Sequence, residues 1–89
     1  MLSLYFKRDW NESTGNKLTD WWGHSTYYFE TDPNGNVLRQ IESYENGNKL
    51  KYDQDHFLDD YGGLSDQSLD LEEFNDFKIE KEEFEKAWG

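Results

Sequence analysis

The chain contains no cysteine and a single proline in 89 residues. Without thiols there is no disulfide framework and no thiolate metal site, which fits a reducing cytoplasm. No apolar run is long enough to span a bilayer, and residues 1–10 lack the apolar core of a signal peptide. The expected compartment is the cytoplasm. Positive charge is scarce as well: 9 Lys and Arg stand against 20 Asp and Glu, a formal net charge of −11. Anionic membrane surfaces and nucleic acid both repel such a chain, so neither is expected as a partner. Apolar residues make up only 34% of the sequence, a level at which disorder becomes a question.

The aromatics answer that question. Four Trp, six Tyr and six Phe can each bury roughly 150–250 Å², enough for one small folded domain over residues 1–89 with a core dominated by rings. The charge is concentrated along the chain. Residues 53–89 hold 13 acids against 3 Lys, whereas residues 1–52 hold 7 acids against 6 bases. Charge of one sign works against compactness through self-repulsion. A use that repays it is rapid, oriented docking on a cationic partner.

Periodicity gives the outline of the fold. Leu2, Leu4 and Phe6 alternate with Ser3, Tyr5 and Lys7, a strand pattern over residues 2–8. Residues 9–20 are polar and read as a loop. Tyr27, Tyr28 and Phe29 suit a strand over residues 25–31. Residues 36–44 are ambiguous, since Val37, Leu38, Ile41 and Tyr44 also fit a helix face. Two Asn-Gly pairs, Asn34-Gly35 and Asn46-Gly47, flank this segment and favour a strand between hairpin turns of type I′. Residues 49–52 form the return strand. Residues 53–63 read as a long acidic loop closed by Gly62-Gly63. A short helical turn is expected at 70–76 and a helix at 80–88, with Glu80 as N-cap, Ile79 and Phe84 as a staple, and Phe84 and Trp88 on one face. The fold class is α+β: an antiparallel meander of about four strands with a C-terminal helix packed on one face.

Catalytic signatures are missing. His24 and His56 lie in unrelated segments with no nucleophile motif beside them. The acids from Asp53 do not match a calcium loop, because Phe57 and Leu58 stand at its fifth and sixth positions. Gly62-Gly63 lacks the Lys-Ser/Thr of a phosphate loop. No catalytic residue, cofactor or metal is therefore expected, and the protein is not read as an enzyme.

The acidic loop has two readings. It is either a solvated surface segment or a docking surface for Lys and Arg. Tyr52, Phe57 and Tyr61 interleave with Asp53, Asp55, Asp59 and Asp60. Aromatics anchor interfaces, and carboxylate–Arg pairs orient them. Asp53, Asp55, Asp59, Asp60 and Tyr61 are therefore the first candidates for partner contact. Trp21 and Trp22 are adjacent, so on a strand one would face the core and the other would be available as an anchor. Together with Tyr28 they form the second candidate set.

Two stretches carry a resemblance. They are Val37-Leu38-Arg39-Gln40-Ile41-Glu42-Ser43-Tyr44-Glu45-Asn46-Gly47 and Ile79-Glu80-Lys81-Glu82-Glu83-Phe84-Glu85-Lys86-Ala87-Trp88, with Tyr61-Gly62-Gly63-Leu64 between them. From Ser25 onward the chain resembles small single-domain bacterial proteins with an R-x-I/V-E-x-F/Y-x-x-G strand and a final I-x-x-E-E-F-E-x-x-W helix. Some of these serve as immunity proteins of contact-dependent growth inhibition systems. The first 20 residues match less well. The resemblance implies an antitoxin that binds a basic toxin C-terminal domain one to one and neutralises it. That domain would be a nuclease, with an EndoU-like or tRNA-cleaving RNase favoured. The alternative is an acidic nucleic-acid mimic that inhibits a host DNA-binding protein.

Overall fold

In a computed structural model, residues 3–10, 20–59, 62–65 and 68–89 are described. Four strands form one antiparallel sheet in the order β1-β2-β3-β4: β1 Leu4–Trp10, β2 Ser25–Thr31, β3 Val37–Tyr44 and β4 Lys49–Tyr52. A two-stranded ribbon follows, β5 Leu58–Asp59 with β6 Gly62–Gly63. After it come α1 Leu71–Phe74, a 3₁₀ turn Asn75–Phe77 and α2 Lys81–Trp88. The α+β meander with a C-terminal helix is thus the observed architecture. Strand β1 leaves out Ser3 and runs through Asp9 and Trp10, where the sequence pattern reads a loop; Leu2 and residues 11–19 of that loop lie outside the described residues.

Both faces of the sheet are covered. On one, Tyr5 packs on Phe84 of α2 with ring centroids 5.4 Å apart. The Arg39 guanidinium lies 4.8 Å from the Phe84 ring and 5.0 Å from the Trp88 ring. On the other face Phe6, Phe29 and Val37 close around Phe74, whose ring stands edge-on to Phe6 and Phe29 at 5.8 Å each. A second cluster on this face joins Trp22, Tyr44, Leu50 and Tyr52. Burial on both faces explains why rings occur at consecutive positions in β2.

Strand β3 contains a bulge. Its register with β2 passes from Glu30↔Arg39 to Thr31↔Val37, so Leu38 has no partner. The extra residue reverses the alternation. Val37 therefore joins the Phe6 cluster while Arg39 faces α2. This shift also produces the helix-like spacing of apolar residues in the segment.

The hairpin turns are not type I′, which would place Asn34 and Asn46 at positive φ. Among the described residues only Gly23, Gly35 and Gly47 have positive φ. Gly35 N–H donates to Asp32 C=O and Gly47 N–H to Tyr44 C=O, each at 3.0 Å. These are three-residue loops with glycine in the left-handed position, and Pro33 supplies the fixed φ of the first turn. The Asp32 carboxylate accepts from the N–H groups of Asn34 and Asn36 and from the Asn36 amide. These bonds hold its carboxyl below the ordinary range.

Asp70 caps α1 by accepting from the N–H groups of Glu72 and Glu73. Glu80 is the N-cap residue of α2, but its side chain makes no cap bond. The helix is fixed by packing instead, since Phe84 is fully buried.

Candidate functional site

The candidate surface is built on the chain that leaves β4. The Asp53 carboxylate accepts from Asp55 N–H at 2.9 Å and His56 N–H at 2.8 Å, while Asp53 N–H donates to His56 C=O at 3.0 Å. One acid thereby folds the turn. Asp59 accepts from the Tyr52 hydroxyl at 2.9 Å, and its other oxygen lies 3.4 Å from His56 Nε2. Burial pushes the Tyr52 phenol up, and its hydrogen bond to Asp59 adds to the effect. Asp53 and Asp59 thus shape the loop, and Asp55 is the candidate acid that projects to solvent. Asp60 and Tyr61 lie outside the described residues.

The three exposed large apolar side chains among the described residues are Trp21 at 73%, Phe57 at 62% and Leu58 at 70% exposure. Phe57 and Leu58 sit among the loop acids. In the sequence pattern Phe57 enters only as an aromatic neighbour of the acids, and Leu58 is unmarked. Their signal was available: two adjacent apolar residues between Asp55 and Asp59, with no periodic partner to bury them.

The 3₁₀ turn Asp20–Trp22 separates the two tryptophans. Trp22 is 6% exposed and meets Tyr44 edge-on at 4.9 Å. It is a core residue, which removes it from the contact candidates. Trp21 stands edge-on to Trp22 at 6.1 Å and faces solvent. Trp21 and the loop border the same cluster, because Leu64 packs against Trp22, Tyr44, Leu50 and Tyr52 and donates its N–H to Phe57 C=O at 2.9 Å. Tyr28 is not part of this surface. It is half-buried in β2 beneath Lys7, whose ammonium lies 5.7 Å from its ring, on the face that carries α2.

Folding redistributes the charge. Lys7, Arg8 and Arg39 reach Glu83, Glu73 and Glu85 in the acid-rich half. Lys49 and Lys51 donate to the carbonyls of Ala87 and Trp88, where the helix dipole favours cations. These five cations of the first half thus face the acids and carbonyls of the helices. A groove of about 380 Å³ between β4, the 53–59 turn and Trp88 is lined by Lys49, Lys51, Asp53, His56 and Asp59, so its charge is mixed. Among the described residues no three His, Asp or Glu side chains converge as a metal site requires, and no helix is long and apolar enough to cross a membrane.

Comparison with known proteins finds no family model, no curated relative and no solved structure that matches the chain. Several residues of the two motif stretches have packing roles here. Arg39 grips Glu85, Ile41 and Phe84 are fully buried, and Tyr44 lies in the core.

Proposed function

We propose that the protein is a non-enzymatic inhibitor, an immunity-type protein that binds one cationic protein domain in the cytoplasm and blocks it. The carrying observation is the exposure of Phe57 and Leu58 within an acidic loop, on a chain of net charge −11. Large exposed apolar residues among like charges cost solubility without a partner, and interfaces place such anchors inside polar rims. The acids would steer a basic partner toward the loop, and the apolar pair would hold it. A basic nuclease domain is the favoured target, since its phosphate-binding cleft is cationic. The rival reading, a nucleic-acid mimic, would call for carboxylates spaced as phosphates. Asp53 and Asp59 are engaged within the loop instead, and apolar residues stand between them.

The experiment is capture of the product of the adjacent upstream gene by the tagged protein at low and high salt, comparing native protein with Asp55→Lys and Phe57→Ala. A one-to-one complex weakened by salt and by both substitutions supports this reading. No complex at either salt contradicts it.

A further inference from the structure

The centre of one sheet face is polar where packing alone would favour aliphatic groups. Gln40 and Glu42 are buried there, between Tyr44 and Tyr52. Gln40 Nε2 donates to Glu42 Oε2 at 2.9 Å and to Gly63 C=O at 3.3 Å, and Gln40 Oε1 accepts from Ser65 N–H at 3.0 Å. Glu42 Oε1 accepts from the Tyr44 hydroxyl at 2.9 Å. The Tyr52 hydroxyl, on the same face, donates to Asp59 at 2.9 Å.

Gln40 thus holds the returning arm of the 57–65 segment by two backbone groups. Tyr52 holds the outgoing arm by one carboxylate, and Leu64 N–H ties the arms together through Phe57 C=O. Glu42 fixes the Gln40 amide so that its oxygen faces Ser65.

We propose that Gln40 and Tyr52 are positioning residues that clamp the Phe57–Leu58 loop in one conformation for docking. The inference rests on that loop being the contact surface. A buried polar network is costly unless every member is satisfied, and well-packed apolar residues are often at least as stable. What the network supplies is a fixed position. A loop ordered before contact avoids the entropy cost of ordering at the interface.

Native-state hydrogen exchange on Gln40→Leu and Tyr52→Phe is the test. The loop reporters are the N–H groups of Leu64 and Ser65, and the sheet reporters are those of Tyr28 and Ile41 in the inner strands. Each substitution is expected to speed exchange at Leu64 by about tenfold, the equivalent of one lost hydrogen bond, and to change the sheet reporters by a smaller factor. Equal acceleration of loop and sheet would show residues that merely stabilise the fold, and unchanged Leu64 exchange would show no clamp. Either result overturns the proposal. Should Gln40→Leu fail to fold, Tyr52→Phe carries the same comparison alone. Exchange requires no partner, so its result is separate from the docking reading, which Asp55→Lys tests with the clamp intact.

Discussion

Arg39 holds Glu85 across 46 residues of chain with two nitrogens, at 2.9 and 3.0 Å. The same guanidinium bonds Glu30 through Nε and lies against the rings of Phe84 and Trp88. Its carboxylate partners raise its pKa, and the guanidinium in turn holds the Glu85 carboxyl low. This one side chain ties α2 to the sheet.

Lysine carries the same charge but lacks the planar fork and stacks less well. Arg39→Lys is expected to lower unfolding free energy by about 1–2 kcal/mol, as loss of bidentate, charge-assisted bonds does. Urea denaturation checks this, and a loss below about 0.3 kcal/mol, the scale of a surface ion pair, would contradict the docking role.

The tryptophan pair separates stability from binding. Trp22→Ala removes a buried ring and is expected to cost about 3–5 kcal/mol. Trp21→Ala, at an exposed position, is expected to stay within about 0.5 kcal/mol. Thermal unfolding of the two variants makes the comparison, and similar losses would place Trp21 in the core.

Glu42 sets a pH dependence. Burial pushes its carboxyl above the ordinary glutamate range, with Asp59 repulsion adding to the shift, while Tyr44, Gln40 and Tyr27 pull the other way. Its neighbour Tyr27 is pushed up to about 12 by burial and by the Glu42 charge. The folded protein therefore binds the Glu42 proton more tightly than the unfolded chain. That contribution is fully present below the ordinary Glu value and is lost as pH rises through the raised folded value. Glu42→Gln cannot ionise. Its stability relative to native protein should be constant below about pH 4 and should rise across the interval above it. Urea melts from acid to neutral pH measure the difference, and a flat difference would contradict the assignment.

Gly35 is held by φ +90° and by Leu69 C=O, which would stand 2.6 Å from an added Cβ. Leu69 N–H also donates to Gly35 C=O at 2.9 Å. Gly35→Ala is expected to cost more than about 1 kcal/mol, since both backbone strain and a clash oppose it. Gly47→Ala meets strain alone, as nothing lies within 4 Å of its Cβ position. Denaturation of both variants should show the larger loss at Gly35.

The four main strands, the 70–76 turn and the final helix were legible because alternation, turn residues and helix spacing are local signals. The bulge at Leu38 was not, since only the partner strand reveals a skipped residue. Positive φ at glycine alone likewise changed the hairpin type without changing the Asn-Gly signal. At the candidate site, counting acids overstated the free charge of the loop. Asp53 and Asp59 accept bonds from within the loop and from Tyr52, which composition does not show. Trp21 and Trp22 exchange roles according to a 3₁₀ turn that no periodicity marks. The polarity of charge along the chain also fails to carry over into space, because Lys7, Arg8 and Arg39 cross to the helices.

In the proposed docking of a cationic domain, charge governs encounter and Phe57 and Leu58 govern residence. The most direct measurement is the association and dissociation rates of the purified pair across salt concentration, for native protein, Asp55→Lys and Phe57→Ala. The association rate is expected to fall with salt and with Asp55→Lys, and the dissociation rate to rise at least about tenfold with Phe57→Ala, the scale of an interface anchor. Rates indifferent to salt and to both substitutions would place the contact elsewhere on the molecule.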